Sequence, residues 1–234
     1  MQIRSVQAII VVSLMFFVSC STGSSDKSSG MVILENTEWT NQWVENTQDS
    51  SLPVILLLGD SHVQQYYGFV KNELKGKFNF GRYTTSKCLG NPFLAKEIKT
   101  FLEQYPCDVI VFNNGLHGPE YPDSVYAGAL PEIFGIFKEV RPQAKVLWVN
   151  TTPRRNRDDL SQFLYPSFEH VKARNRYAKE YMDKHGIPVV DMWSLGYEHP
   201  EYYSADGVHF NGEGKKAEAR LVANAVMKIM QMDD

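Results

Sequence analysis

Short apolar runs and longer helical stretches alternate five times between residues 52 and 232, and that rhythm leaves few folds open. The runs are Leu52–Leu58, Phe78–Tyr83, Asp108–Phe112, Lys145–Asn150 and Ile187–Asp191. None alternates strictly between apolar and polar residues, the pattern of strands covered on both faces. The stretches between them, Val63–Lys75, Phe93–Tyr105, Val125–Val140, Leu160–His185 and Gly212–Met232, read as helices. In the last, Leu221, Val222, Ala225, Val226, Ile229 and Met230 share one face at helical spacing. Strand and helix in regular succession predict a parallel sheet with helices on both sides. A chain of 234 residues with 43% hydrophobic content can build that core as one doubly wound domain, spanning 52–234.

The residues before 52 have a different character. Arg4 precedes the apolar run Ala8–Val18, which is short for a membrane span and ends at Ser19-Cys20. This layout looks like a bacterial lipoprotein signal over residues 1–20, with Cys20 the lipidated residue, although Phe17 stands where Leu is usual. An ordinary secretory signal cut near Ser19 or Ser21 is the alternative. Either implies export, and the first implies a place in the cell envelope, on its periplasmic or outer-membrane face, with the N-terminal lipid as the only membrane contact. Ser21–Gly30 reads as a flexible tether, and Met31–Ser51 as a lead-in segment that packs onto the domain. A net charge of −3 gives no global electrostatic case for nucleic acid. Export would permit a disulfide. However, Cys88 follows the second strand and Cys107 precedes the third, at opposite ends of a parallel sheet. A strand of about six residues separates them by roughly 20 Å, against a bridging limit of roughly 7 Å. No bond between them is expected.

Open α/β sheets carry their sites outside the carboxyl ends of the strands, and the reactive side chains here fall there. Gly59-Asp60-Ser61-His62 follows the first strand, Gly90 the second, Asn113, Asn114 and His117 the third, and Arg154 with Arg155 the fourth. Asp206 and His209 lie before the last helix. A serine hydroxyl is a weak nucleophile until a neighbouring base takes its proton, and a carboxylate that orients the base improves it. Ser61, His209 and Asp206 supply those three groups.

These blocks resemble the SGNH hydrolases, the GDSL family of esterases and lipases. Gly-Asp-Ser matches at 59–61, Asp-x-x-His at 206–209, and Gly-Val-His-Phe-Asn-Gly-Glu-Gly at 207–214 is typical of the loop into that family's last helix. The resemblance covers residues 52–232. It implies a flavodoxin-like three-layer α/β/α fold with a five-stranded parallel sheet, no metal or other cofactor, and ester hydrolysis through an acyl-serine. Ser61 would be the nucleophile, His209 the base and Asp206 its orienting acid. The backbone N–H groups of Ser61 and Gly90 would bind the oxyanion. The third block departs from the usual Gly-x-Asn-Asp, reading Asn113-Asn114-Gly115-Leu116-His117. The third oxyanion donor is therefore Asn113, Asn114 or His117, with Asn114 favoured and His117 shaping the pocket. His62 replaces the family's Leu, and either packs locally or contacts substrate. Arg154, Arg155 and Arg157 read as a solvated face or, alternatively, as supplying one arginine, Arg154 first, that reaches an anionic substrate group.

The implied substrate is an acylated carbohydrate or small-molecule ester carrying an acetyl or other short acyl group. A lysophospholipase or thioesterase is the alternative within enzymes, and a non-catalytic glycan-binding lipoprotein the alternative outside them.

Overall fold

The computed structural model describes residues 32–231. The signal segment, Cys20 and the tether Ser21–Gly30 lie outside the described residues. In chain order the elements are β1 (Thr40–Val44), β2 (Val54–Gly59), α1 (Ser61–Glu73), β3 (Asn79–Thr85), α2 (Leu94–Gln104), β4 (Val109–Asn113), α3 (Asp123–Val140) and β5 (Lys145–Val149). They continue with β6 (Arg155–Asn156), β7 (Asp159–Phe163), α4 (Ser167–His185), β8 (Val189–Val190), α5 (Met192–Glu198) and α6 (Gly212–Met230).

The sheet order is β1-β3-β2-β4-β5-β8. The five expected strands all pair in parallel, in the flavodoxin-like order 2-1-3-4-5. A sixth strand corrects the five-stranded expectation: β1, from the lead-in segment, pairs antiparallel with β3. The boundary placed at residue 52 therefore cuts through the sheet. β1 is exposed along most of its length and lacks the apolar run that marked the other strands.

Adjacent residues of β2 point to opposite faces, and both faces are covered. Ile55 and Leu57 pack against α1 and α6 through Val63, Val70, Val222 and Val226. Leu56 and Leu58 meet α2, α3 and α4 through Ile98, Ile133 and Met182. Fully burying one such side chain contributes about 1.5–3 kcal/mol before chain entropy is subtracted. This two-sided burial explains why the runs showed no period of two.

Two local expectations change. Leu160–Phe163 belongs to the β6–β7 hairpin, not to the fourth helix. Pro166 has no N–H to donate and restricts Tyr165, so the helix begins after it at Ser167. The short helix α5 carries no periodic signal long enough to predict it. Cys88 and Cys107 are both free. Among the described residues, no helix is long and apolar enough to cross a membrane.

Candidate active site

The strand order reverses between β2 and its neighbours β3 and β4, and the reactive residues gather at that switch point. β2 ends at Gly59, and Asp60 caps α1 by accepting the His62 N–H at 2.9 Å. The cap puts Ser61 at the first helical position, where the helix dipole favours negative charge nearby. The last block reaches the same place by a loop held from within. One carboxylate oxygen of Asp206 accepts the N–H groups of Val208 and His209, each at 2.9 Å. Its other oxygen accepts the His209 Nδ1–H at 2.7 Å. An ionised carboxylate only accepts, so Nδ1 carries the proton and Nε2 is left to accept. The Ser61 hydroxyl lies 2.8 Å from that Nε2.

Asp206 remains ionised to low pH. Burial raises its pKa, but the bond to the His209 ring and the two backbone N–H groups outweigh that and bring it down to about 2. Gly207 makes the turn between the two residues with φ of +69°, and a Cβ there would sit 2.2 Å from the Arg155 carbonyl oxygen. Only glycine fits this loop.

Gly90 has φ of +100° on the loop after β3, and a Cβ would meet Val125 at 2.7 Å. Among the described residues, neither the Ser61 N–H nor the Gly90 N–H has a partner. Two cavities, of about 530 and 350 Å³, open beside Ser61. Ser61, His209 and His117 line both. The larger continues along Trp39, Thr40, Asn41, Gln64 and Gln65, and the smaller along Glu35 and Arg154.

Several expected residues are placed differently. Asn114 does not reach either cavity. Its amide donates to the Lys87 carbonyl at 3.0 Å and its oxygen accepts the Leu89 N–H at 2.8 Å, so it braces the loop that carries Gly90. Asn113 turns inward and donates to the Val149 carbonyl at 2.9 Å. His62 lines neither cavity: it is 6% exposed and pairs with the buried Glu218 at 3.0 Å, its ring beside that of His209. Arg155 is buried, donating to the carbonyls of Gly196 and Tyr197 at 3.0 and 2.7 Å. Arg157 is exposed. Arg154 alone of the three lines a cavity beside Ser61.

The sequence reading missed Glu35, Trp39, Arg174 and Glu218. Glu35 accepts from His117 Nδ1 at 2.9 Å and from the Gly118 N–H at 2.6 Å. Trp39 meets the His117 ring edge-on at 6.0 Å. The fully buried Arg174 holds the same loop from below through the carbonyls of His117 and Gly118, at 2.6 and 2.7 Å. Arg174 and Glu218 each had a signal: a charge on the buried stripe of its helix, in line with Val171 and Ala178 or with Val222. Glu35 and Trp39 had none.

Among the described residues, no group of three or more His, Cys, Asp or Glu side chains is arranged to hold a metal ion. No protein-family model and no curated protein sequence matches the chain. Solved structures do. A carbohydrate esterase family 3 protein from Talaromyces cellulolyticus superposes with a TM-score of 0.64 at 15% identity, covering 77% of this chain and 99% of that one. A carbohydrate acetylesterase from Sinorhizobium meliloti gives 0.60 at 15%, over 76% and 99%. A GDSL-like lipase from Bacteroides thetaiotaomicron gives 0.58 at 15%, over 76% and 89%. At such identity the likeness is one of architecture, and the chain has the three-layer α/β/α fold of the SGNH hydrolases.

Proposed function

We propose that this chain is a serine ester hydrolase that removes acetyl or other short acyl groups from carbohydrate or small-molecule esters. The observation that carries the reading is the unbroken series Ser61 Oγ, His209 Nε2, His209 Nδ1 and Asp206 Oδ2, with links of 2.8 and 2.7 Å. In the proposed cycle Ser61 Oγ attacks the acyl carbonyl as its proton passes to His209 Nε2, and Asp206 stabilises the resulting imidazolium. The Ser61 and Gly90 N–H groups face the developing oxyanion. The tetrahedral adduct collapses, His209 protonates the departing alcohol, and the acyl group stays on Ser61. Water, deprotonated by His209, then attacks the acyl-serine, and collapse releases the carboxylic acid and restores Ser61.

Support for a sugar comes from the wall of the larger cavity. Trp39 offers a half-buried aromatic face, and Thr40, Asn41, Gln64 and Gln65 offer hydroxyl and amide groups suited to sugar hydroxyls. The neighbours named above as carbohydrate esterases fit the same reading. Arg154 is proposed to pair with an anionic group on the substrate, because its planar fork matches a carboxylate. Arg154→Ala should lower kcat/KM on acidic acetylated sugars by about tenfold or more, a loss of about 1.4 kcal/mol in transition-state stabilisation. Equal losses on neutral sugars would remove that role.

Fluorophosphonate labelling followed by peptide mapping tests the nucleophile. Modification is expected at Ser61, and Ser61→Ala should cost on the order of 10⁴-fold in kcat. Unchanged activity in that variant would end the proposal. On p-nitrophenyl esters acetate should outrun octanoate; the reverse order would favour a lysophospholipase or thioesterase.

A further inference from the structure

A third cavity, of about 450 Å³, opens between α4 and the edge strand β8, and it shares no residue with the two beside Ser61. Asn150 and Asp191, one residue past the ends of β5 and β8, belong to its wall. It therefore lies toward the same carboxyl edge of the sheet as Ser61, three strand positions from β2, or roughly 14 Å. One wall is a face of α4. Lys172, Asn175, Arg176 and Lys179 recur there at helical spacing, while Arg174, on another side of the helix, holds the His117 loop. Two indoles complete the lining. Trp148 is fully buried, and Trp193 is half-buried. Phe168 and Tyr197 fix the Trp193 ring, with centres 5.2 and 6.3 Å away. Its Nε1–H has no partner among the described residues and, unlike Trp148 Nε1, is not sealed from solvent.

The charged residues lining this cavity are three positive and one negative, in a chain of net charge −3. The one acid, Asp191, is committed. One of its oxygens accepts from Asn150 Nδ2 at 2.9 Å and from the Ser194 N–H at 3.1 Å, and the other accepts the Ser194 hydroxyl at 2.6 Å. Lys172 and Lys179 pair with Glu169 and Asp183 of their own helix, at 3.8 and 2.6 Å. Exposed pairs of this kind hold weakly and give way to a better partner. Arg176 has no carboxylate or carbonyl partner among the described residues, and its guanidinium rests over the Tyr177 ring, 5.0 Å from the centre. A planar fork without an acceptor, beside an open indole, suits a saturated ring that bears a carboxylate and hydroxyls. Val189 is the sole aliphatic side chain among the described residues of the lining, so no bed for an acyl tail is present. A bare phosphate would leave the indole and most of the volume unused. We propose that this cavity is a second binding site, for an acidic glycan, in which a uronate ring lies against Trp193 with its carboxylate on Arg176, flanked by Lys172 and Lys179. The site does not depend on the hydrolase reading. Where that reading holds, the site keeps an acidic chain on the protein while Ser61 acts on another residue of it.

The test is calorimetric titration of the native protein with a galacturonate trisaccharide, set against the matching neutral galactose trisaccharide and phosphatidylglycerol vesicles. The acidic trisaccharide should bind with a Kd of about 1 mM or tighter. Binding should weaken in about 1 M salt and should quench tryptophan fluorescence. Arg176→Glu should raise Kd by about tenfold or more. Trp193→Ala should also weaken binding and remove the quench. Should Trp193→Ala prove unstable, the exposed Arg176 variant decides alone. Equal affinity for the neutral trisaccharide, unchanged affinity in Arg176→Glu, or binding to the vesicles without binding to the trisaccharide overturns the site. Loss of binding in Arg154→Ala with Arg176→Glu unaffected would put the sugar in the cleft beside Ser61 and overturn it as well. None of these readouts uses ester turnover, so failure of Ser61 to label would strike the hydrolase reading and leave this site standing.

Discussion

His62 and Glu218 form a buried pair 3.0 Å apart, with the His62 ring 5.6 Å from that of His209. Burial pushes the Glu218 carboxyl above the usual carboxylate range. Against the cost of its own burial, His62 is held above the usual histidine value by Glu218. The two titrate as one unit. Such a pair is expensive to break and cheap to replace whole. His62→Leu alone should therefore destabilise the fold by roughly 3–5 kcal/mol, the lower end if Glu218 takes up a proton. Combining it with Glu218→Leu should recover most of that loss. Denaturant unfolding of both variants measures it, and equal stability of the single and double variants would refute the argument. The pairing also explains why His62, next to Ser61 in sequence, turns inward: its polar end is already satisfied inside.

At the scale of elements, the segment leading into β1 is held at its far end by Glu38 and Trp39, bonded to Ser86 and Thr85, and nearer its start by contacts that include a titrating pair, Glu35 and His117. Ile33 exchanges hydrogen bonds with the Tyr121 hydroxyl, and Glu35 bridges His117 and Gly118. A histidine raised on folding adds stability in full below its ordinary value of 6.5, and that is lost as pH rises through the raised value. A carboxyl lowered on folding adds stability above its ordinary 4.5, lost as pH falls through the lowered value. Docking of residues 32–39 should then be tightest between those two ordinary values and loosen on either side. Hydrogen exchange at Ile33 and Gly118, corrected for the intrinsic rate, checks this. Protection that stays flat from about pH 4 to about pH 9 would contradict it. Glu35→Gln should abolish the dependence.

Across the whole molecule, what could be read from sequence followed the physics of each part. Strands buried on both faces leave continuous apolar runs, so β2, β3, β4 and β5 were visible, and so was the parallel order they force. The hydrogen-bonded series Ser61, His209 and Asp206 could be anticipated because its members sit in short motifs whose chemistry is local. β1 escaped because it lies at an edge, exposed, held by backbone pairing that carries no compositional mark. Glu35 and Trp39 escaped for a related reason: their partners are more than seventy residues away in sequence. Asn114 was misjudged because an amide's chemistry says what it could bind, whereas the nearest unsatisfied backbone group decided what it does bind.

The way the polypeptide enters its own fold has a practical side. As it enters its edge strand, the chain passes along the rim of the larger cavity, leaving Trp39 and the first β1 residues, Thr40 and Asn41, in its wall. A shortened version starting at residue 45 would keep every parallel strand and the Ser61, His209 and Asp206 side chains. It would lack one bank of the cleft and the carboxylate that pairs with His117, so the segment before residue 45 belongs with the cleft and not with a tether.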